Sequence, residues 1–227
     1  MIVKKYTVLL IDDHPLITNA YKSAFNYISK HDEKILFDID VAHNCDIAYE
    51  KLNSFIRKEK SLDIIFLDIS LPPSKDKKLI SGEDLGLKII KLLPDTKIIV
   101  STSFSDNYRI YSIIKNLNPE GFLTKNDIDP KSLIEAINTI LEEPPYYSKT
   151  ALKVLRKEIT SDFVLDKVDR RLLYELSLGT MMKDLPKILN LSLPAIEKRK
   201  SRIKQIFDVE TPHDKELLIK AKEKGFI

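Results

Sequence analysis

The sequence predicts an α/β chain: a doubly wound, five-stranded parallel sheet followed by a smaller all-α segment of four helices. Three observations predict it. Five short apolar runs (6–11, 35–41, 62–67, 97–102 and 121–124) alternate with segments of helical period, the pattern of a parallel sheet covered on both faces. Beyond Pro144-Pro145 every periodic segment is helical. Three aspartates close two of the apolar runs: Asp12-Asp13 follows the first and Asp68 follows the third.

The runs 62–67 and 97–102 are almost continuously apolar, as strands buried on both faces require. Between the runs, 15–30, 44–59, 83–93, 107–117 and 129–143 carry apolar residues at helical spacing, for example Ile110, Ile113, Ile114 and Leu117. Proline cannot continue a helix, so Pro144-Pro145 ends the fifth. A connector helix is expected over 149–159, then a break at 160–163. Helices follow over 165–178, about 184–190, 192–207 and 212–224. The expected division is 1–147, a linker over 148–164, and 165–227. The polar stretch 73–78 reads as an exposed loop.

A length of 227 residues suits two domains, and 43% hydrophobic with 31% charged residues is ordinary for a globular protein. The single Cys45 excludes an internal disulfide framework and fits a reducing compartment. No run approaches the roughly 20 apolar residues of a membrane span. The N-terminus leads straight into a strand pattern, so a cytoplasmic protein is expected. Charge is unevenly spread: from Thr150 onward 17 Lys/Arg face 12 Asp/Glu, against 20 and 22 before it. That split suits an acidic site in the first part and an anion-binding surface in the second.

If the first and third runs are neighbouring parallel strands, Asp12, Asp13 and Asp68 meet at the carboxyl edge of the sheet, where such folds bind ligands. Two like charges about 4 Å apart repel by roughly 4 kcal/mol at an effective dielectric near 20. The cluster therefore needs a cation, or a raised pKa. Alone, Asp-Asp after a strand is as readily a turn or a helix cap. Two more groups join it: the fourth run ends in Ser101-Thr102-Ser103 and the fifth is followed by Lys125. Together they read as a Mg²⁺ site with chemistry on an aspartate. His14, beside Pro15, reads as a turn residue.

Four pieces stand in order on these elements: Leu9-Leu-Ile-Asp-Asp-His-Pro15, Ile64-Ile-Phe-Leu-Asp-Ile-Ser-Leu-Pro72, Pro94-Asp-Thr-Lys-Ile-Ile-Val-Ser-Thr102 and Gly121-Phe-Leu-Thr-Lys125. They resemble the flavodoxin-like receiver domain of two-component response regulators over about residues 4–143, and the Asp-Asp-His-Pro form looks most like the NarL/LuxR type. The resemblance implies that Asp68 is the phosphoacceptor for a sensor histidine kinase. It implies that Asp13, Asp12, Asp68 and the backbone carbonyl of Ser70 hold Mg²⁺, a set of hard oxygen donors that this ion prefers. Lys125 would neutralise charge on the phosphoryl oxygens. Thr102 would hydrogen-bond the attached group, and Phe122 takes the aromatic switch position. Spacing from Lys125 favours Ser103 for the hydroxyl instead; the ungapped run from Pro94 favours Thr102, the expectation adopted. The loop from Pro73 to Lys78 is longer than the family pattern.

Residues 165–227 resemble the four-helix, helix-turn-helix DNA-binding domain of LuxR-type regulators, through Leu172-Leu173, Gly179, Leu189-Asn-Leu-Ser192, Ile196, Ile203 and Phe207-Asp-Val209. Ser192 suits an N-cap with Pro194 in the first turn. The helix it starts carries Lys198, Arg199, Lys200, Arg202 and Lys204, cations able to neutralise phosphates in the major groove. Pro186 falls where the family's preceding helix has its interior, so that helix is expected to start late, with Asp184 near its N-cap. The resemblance as a whole implies a transcription factor, dimeric when active, that accepts and self-hydrolyses a phosphoryl group without being an enzyme on external substrates. A protein-binding adaptor with a degenerate helix-turn-helix is the alternative. A phosphoaspartate phosphatase is disfavoured, because that class wants a second acid where Ser70 stands.

Overall fold

The structure, a computed structural model, describes residues 3–158 and 164–227. The expected break at 160–163 and the last residue of the expected connector helix lie outside the described residues. Two compact units are present: Met1–Ser103 with Leu117–Lys157, and Phe104–Asn116 with Glu158–Ile227.

In the first unit the strands are β1 (Lys4–Ile11), β2 (Ile35–Ala42), β3 (Ile64–Asp68), β4 (Lys97–Thr102), β5 (Gly121–Thr124) and β6 (Tyr146–Tyr147). They form one parallel sheet in the order β2-β1-β3-β4-β5-β6. The chain leaves β1 for β2 on one side and reaches β3 on the other, so the order reverses between β1 and β3. The expectation of five strands is corrected to six. The added edge strand is two residues long, too short to leave a periodic signal.

Helices α1 (Pro15–His31), α2 (Cys45–Arg57), α3 (Gly82–Leu92) and α5 (Pro130–Glu142) connect the strands, and α6 (Lys149–Glu158) follows β6. On α1 the buried residues Thr18, Tyr21, Ala24, Phe25 and Ile28 form one helical stripe. It packs with Leu133, Ile137 and Ile140 of α5 on Val8, Leu10, Ile64, Phe66, Ile99 and Leu123 of the sheet. Those sheet residues alternate along each strand, so they fix which face looks toward α1 and α5.

The second unit holds α4 (Asn107–Leu117, to Asn116), α7 (Lys167–Ser177), α8 (Leu185–Leu189), α9 (Leu193–Ile206) and α10 (Asp214–Glu223). Leu172, Leu173, Leu185, Ile196, Ile203, Phe207 and Leu217 form its core. Tyr108 of α4 lies edge-on to Phe207 at 6.3 Å, and Arg109 Nε donates to the Gly225 carbonyl at 3.1 Å. Compactness and chain order therefore part at α4. As expected from Pro186, α8 starts late: Asp184 precedes it, Pro186 sits in its first turn, and it has five residues. Ser192 and Pro194 open α9.

Candidate functional site

The reversal of strand order leaves a crevice at the carboxyl ends of β1 and β3, and the acids stand there. Ile11 pairs with Leu67, so Asp12 and Asp68 leave adjacent strands side by side. Both are 1% exposed. Phe66 and Leu10, two residues before each, face α1 and α5, and alternation puts both carboxylates on that same side.

Lys125 binds the two acids together. Its Nζ lies 2.7 Å from Asp68 Oδ2 and 2.8 Å from Asp12 Oδ2. The other oxygen of Asp68 accepts the Ser70 N–H at 2.8 Å. Burial raises the Asp68 pKa above the usual carboxylate value, and the bonds from Lys125 and Ser70 offset only part of it. Burial opposes charge on Lys125, yet its bonds to Asp12 and Asp68 outweigh that, and its pKa stands above the ordinary lysine value. Asp13 is exposed, with Oδ1 2.7 Å from His14 Nδ1.

Ligand atoms of Asp12, Asp13, His14 and Asp68 all lie within 4.8 Å of one another. Three carboxylates in that space are the hard oxygen donors Mg²⁺ takes. The exposed His14 side chain can swing away from Asp13 at little cost. The donor set therefore fits a Mg²⁺ ion held by Asp12, Asp13 and Asp68.

The other expected residues stand on β4 and β5. Thr102 is fully buried and pairs with Thr124, on the side of β4 opposite Ile99 and Ser101. The hydroxyl on the Asp68 side within β4 is Ser101, which pairs directly with Asp68. Ser103, just past the strand end, is exposed. Thr102 closes β4, one residue beyond the Ser101 that pairs with Asp68. Phe122 is fully buried in β5, beside Val100 and Tyr147.

Two features near the acids left no functional signal in the sequence. A Cβ on Gly82, which opens α3, would lie 1.9 Å from the Asp68 carbonyl oxygen. Only glycine lets that helix start against the backbone of β3. Tyr21 on α1 meets Ser101, its Oη 2.5 Å from Ser101 Oγ. The loop at 73–78 is also tighter than its composition suggested. Its tip, 75–78, is exposed, but Ser74 is buried, and its N–H and the N–H of Leu79 close a loop through Leu79 O (2.8 Å) and Ser74 Oγ (3.1 Å).

On α9 the five expected cations differ in their surroundings. Arg199 Nη1 lies 2.6 Å from Asp169 and 2.9 Å from Asp166 at the start of α7. Lys200 and Lys204 both hold Asp214, at 3.0 and 3.1 Å. Lys198 and Arg202, one helical turn apart, are exposed.

Residues 8–138, more than half of the chain, match the family model described as the response regulator receiver domain. The chain belongs to that family. Among curated relatives, it is 23% identical over 216 residues to the oxygen regulatory protein NreC of Staphylococcus carnosus, covering 90% of this chain and 92% of that one. NreC of Staphylococcus epidermidis is 25% identical over 209 residues, 86% and 88% of the two chains. Among solved structures, RcsB from Salmonella enterica serovar Typhimurium, bound to promoter rprA in the presence of the phosphomimetic BeF3−, superposes with a TM-score of 0.67. It is 19% identical and spans 96% of this chain and 99% of its own. At that identity the likeness concerns the fold. These full-length agreements bear out the expected NarL/LuxR-type response regulator, a receiver sheet followed by a helical unit. No helix among the described residues is long and apolar enough to cross a membrane.

Proposed function

We propose that this response regulator takes a phosphoryl group on Asp68 from a phosphohistidine of a sensor histidine kinase, and that this state controls DNA binding by its C-terminal helices. The observation that carries the reading is the shared ammonium of Lys125 between the buried carboxylates of Asp68 and Asp12. A carboxylate is already an oxygen nucleophile near pH 7. Lys125 offsets the charge that transfer adds, and when bound at Asp12, Asp13, Asp68 and the Ser70 carbonyl, Mg²⁺ supplies further positive charge to the phosphoryl oxygens. Thr102, at the carboxyl end of β4, is the hydroxyl that meets the attached group. Phe122 is the aromatic residue that follows it. The domain division follows chain order: a receiver over 1–147, a linker over 148–164 and a DNA-binding domain over 165–227.

The receiver transfers no group to an external substrate; it holds the phosphoryl group and hydrolyses its own acyl phosphate. The activated form is a homodimer that presents two copies of α9 to paired half-sites in double-stranded DNA. Lys198 and Arg202 are the exposed cations for that contact, while Arg199, Lys200 and Lys204 brace α9 from within. One observation favours a second reading: with Arg199, Lys200 and Lys204 engaged inside the unit and α8 only five residues long, the helical domain could serve as a phosphorylation-dependent protein adaptor. Mobility-shift titration with and without Asp68 phosphorylated separates the two. Salt-sensitive DNA affinity supports the regulator; its absence in both states supports the adaptor.

A further inference from the structure

Tyr21 is 2% exposed on the buried stripe of α1, yet it carries a hydroxyl. That hydroxyl has a built partner: Oη lies 2.5 Å from Oγ of Ser101, itself 1% exposed. Ser101 is the residue of β4 in register with Asp68. Neighbouring strands lie about 4.8 Å apart, so in-register side chains on one face touch.

We propose that Tyr21 is a positioning residue for phosphoryl transfer to Asp68, acting through Ser101. The inference rests on the phosphoacceptor reading above and deepens it. A buried hydroxyl takes a hydrogen-bond partner wherever one is within reach. Ser101 holds the phenol of Tyr21 at 2.5 Å and stands in register with Asp68 on the next strand. Either oxygen can donate in that bond, and we take Ser101 as the donor, its proton held on the phenol oxygen. Among the described residues, Asp68 then carries only the Ser70 N–H and the Lys125 ammonium. Without the phenol, the Ser101 proton turns to Asp68, withdrawing electron density from the oxygen that must attack and crowding its approach. In the transfer from acetyl phosphate, an Asp68 oxygen bonds to phosphorus. The P–O bond to the acetyl group breaks, and acetate leaves with the electron pair. No proton is needed, so a proton donated to the nucleophile only hinders it. Nearness of Tyr21 to both acids is also visible in its phenol: burial raises its pKa first, and the charges of Asp12 and Asp68 add to that rise.

The test uses full-length protein with Mg²⁺ and acetyl phosphate, read by intact mass against time. Wild type should gain one phosphoryl group and Asp68→Asn none. If wild type gains none, the phosphoacceptor reading fails and the role of Tyr21 falls with it. Given labelling, Tyr21→Phe should slow transfer at saturating donor by roughly three- to tenfold, the effect of one hydrogen bond, at an unchanged half-saturating donor concentration. Adding Ser101→Ala to Tyr21→Phe should bring the rate back to within about twofold of wild type, since no misdirected hydroxyl then remains. A Tyr21→Phe protein that labels at the wild-type rate overturns the proposal. So does a double variant that stays as slow as Tyr21→Phe, which would reduce Tyr21 to packing.

Discussion

Lys125→Met removes one charge from the site while keeping an unbranched apolar stem, and its consequence can be worked from the geometry. Asp12 and Asp68 lose the ammonium that now lies 2.8 and 2.7 Å from them. Their ligand oxygens lie within 4.8 Å of each other. At that distance and an effective dielectric near 20, the repulsion is about 3.5 kcal/mol. Removing one partner of a buried ion pair typically costs about 3–5 kcal/mol. Asp68, whose pKa burial already raises, relieves part of this by taking up a proton, so a loss near 3 kcal/mol is expected in EDTA. Mg²⁺ binds the folded state alone and should return about 2.7 kcal/mol at a hundredfold excess over its dissociation constant. Urea unfolding read by tyrosine fluorescence, in EDTA and in Mg²⁺, measures both numbers. A loss below about 1 kcal/mol in EDTA, or a variant whose midpoint ignores Mg²⁺, would refute the reasoning.

Gly82→Ala drives a Cβ to 1.9 Å from backbone oxygen; α3 must shift away from Asp68, with a loss of at least about 1–3 kcal/mol in urea unfolding and slower labelling of Asp68. Lys198→Ala and Arg202→Ala should each lower the slope of log affinity for DNA against log salt by about one, and Lys198→Ala should leave the unfolding midpoint unchanged; if both leave the slope intact, α9 does not meet phosphates through that face. Asp214 is pushed up by burial, but Lys200 and Lys204 outweigh this and hold its pKa below the usual value. Its contribution is thus present above the ordinary carboxylate range and lost as pH falls through the lowered value. Asp214→Asn should be less stable than wild type at neutral pH, with the gap closing in acid titrations of the unfolding midpoint.

Where a signal was carried by periodicity, the chain could be read directly. Residues 62–67 and 97–102 lie at the centre of the sheet because nearly every side chain is apolar and both faces are covered. The order of strands then carried Asp12, Asp68 and Lys125 to one edge, since parallel strands deliver their carboxyl ends together. What escaped depended on neighbours in space. Tyr21 has the spacing of a core residue to Ala24, Phe25 and Ile28. Its hydroxyl gains meaning only from Ser101, on a strand 80 residues away. The cations of α9 were legible as a basic helix. Which of them meet solvent depended on Asp166, Asp169 and Asp214, whose helices pack against α9.

The measurement that bears most directly on the central claim is peptide-level mass spectrometry of the full-length protein after incubation with acetyl phosphate and Mg²⁺. The site geometry predicts a single acyl phosphate on Asp68, absent without Mg²⁺ and absent in Asp68→Asn. An unmodified Asp68, or a phosphoryl group that persists in Asp68→Asn, would contradict it.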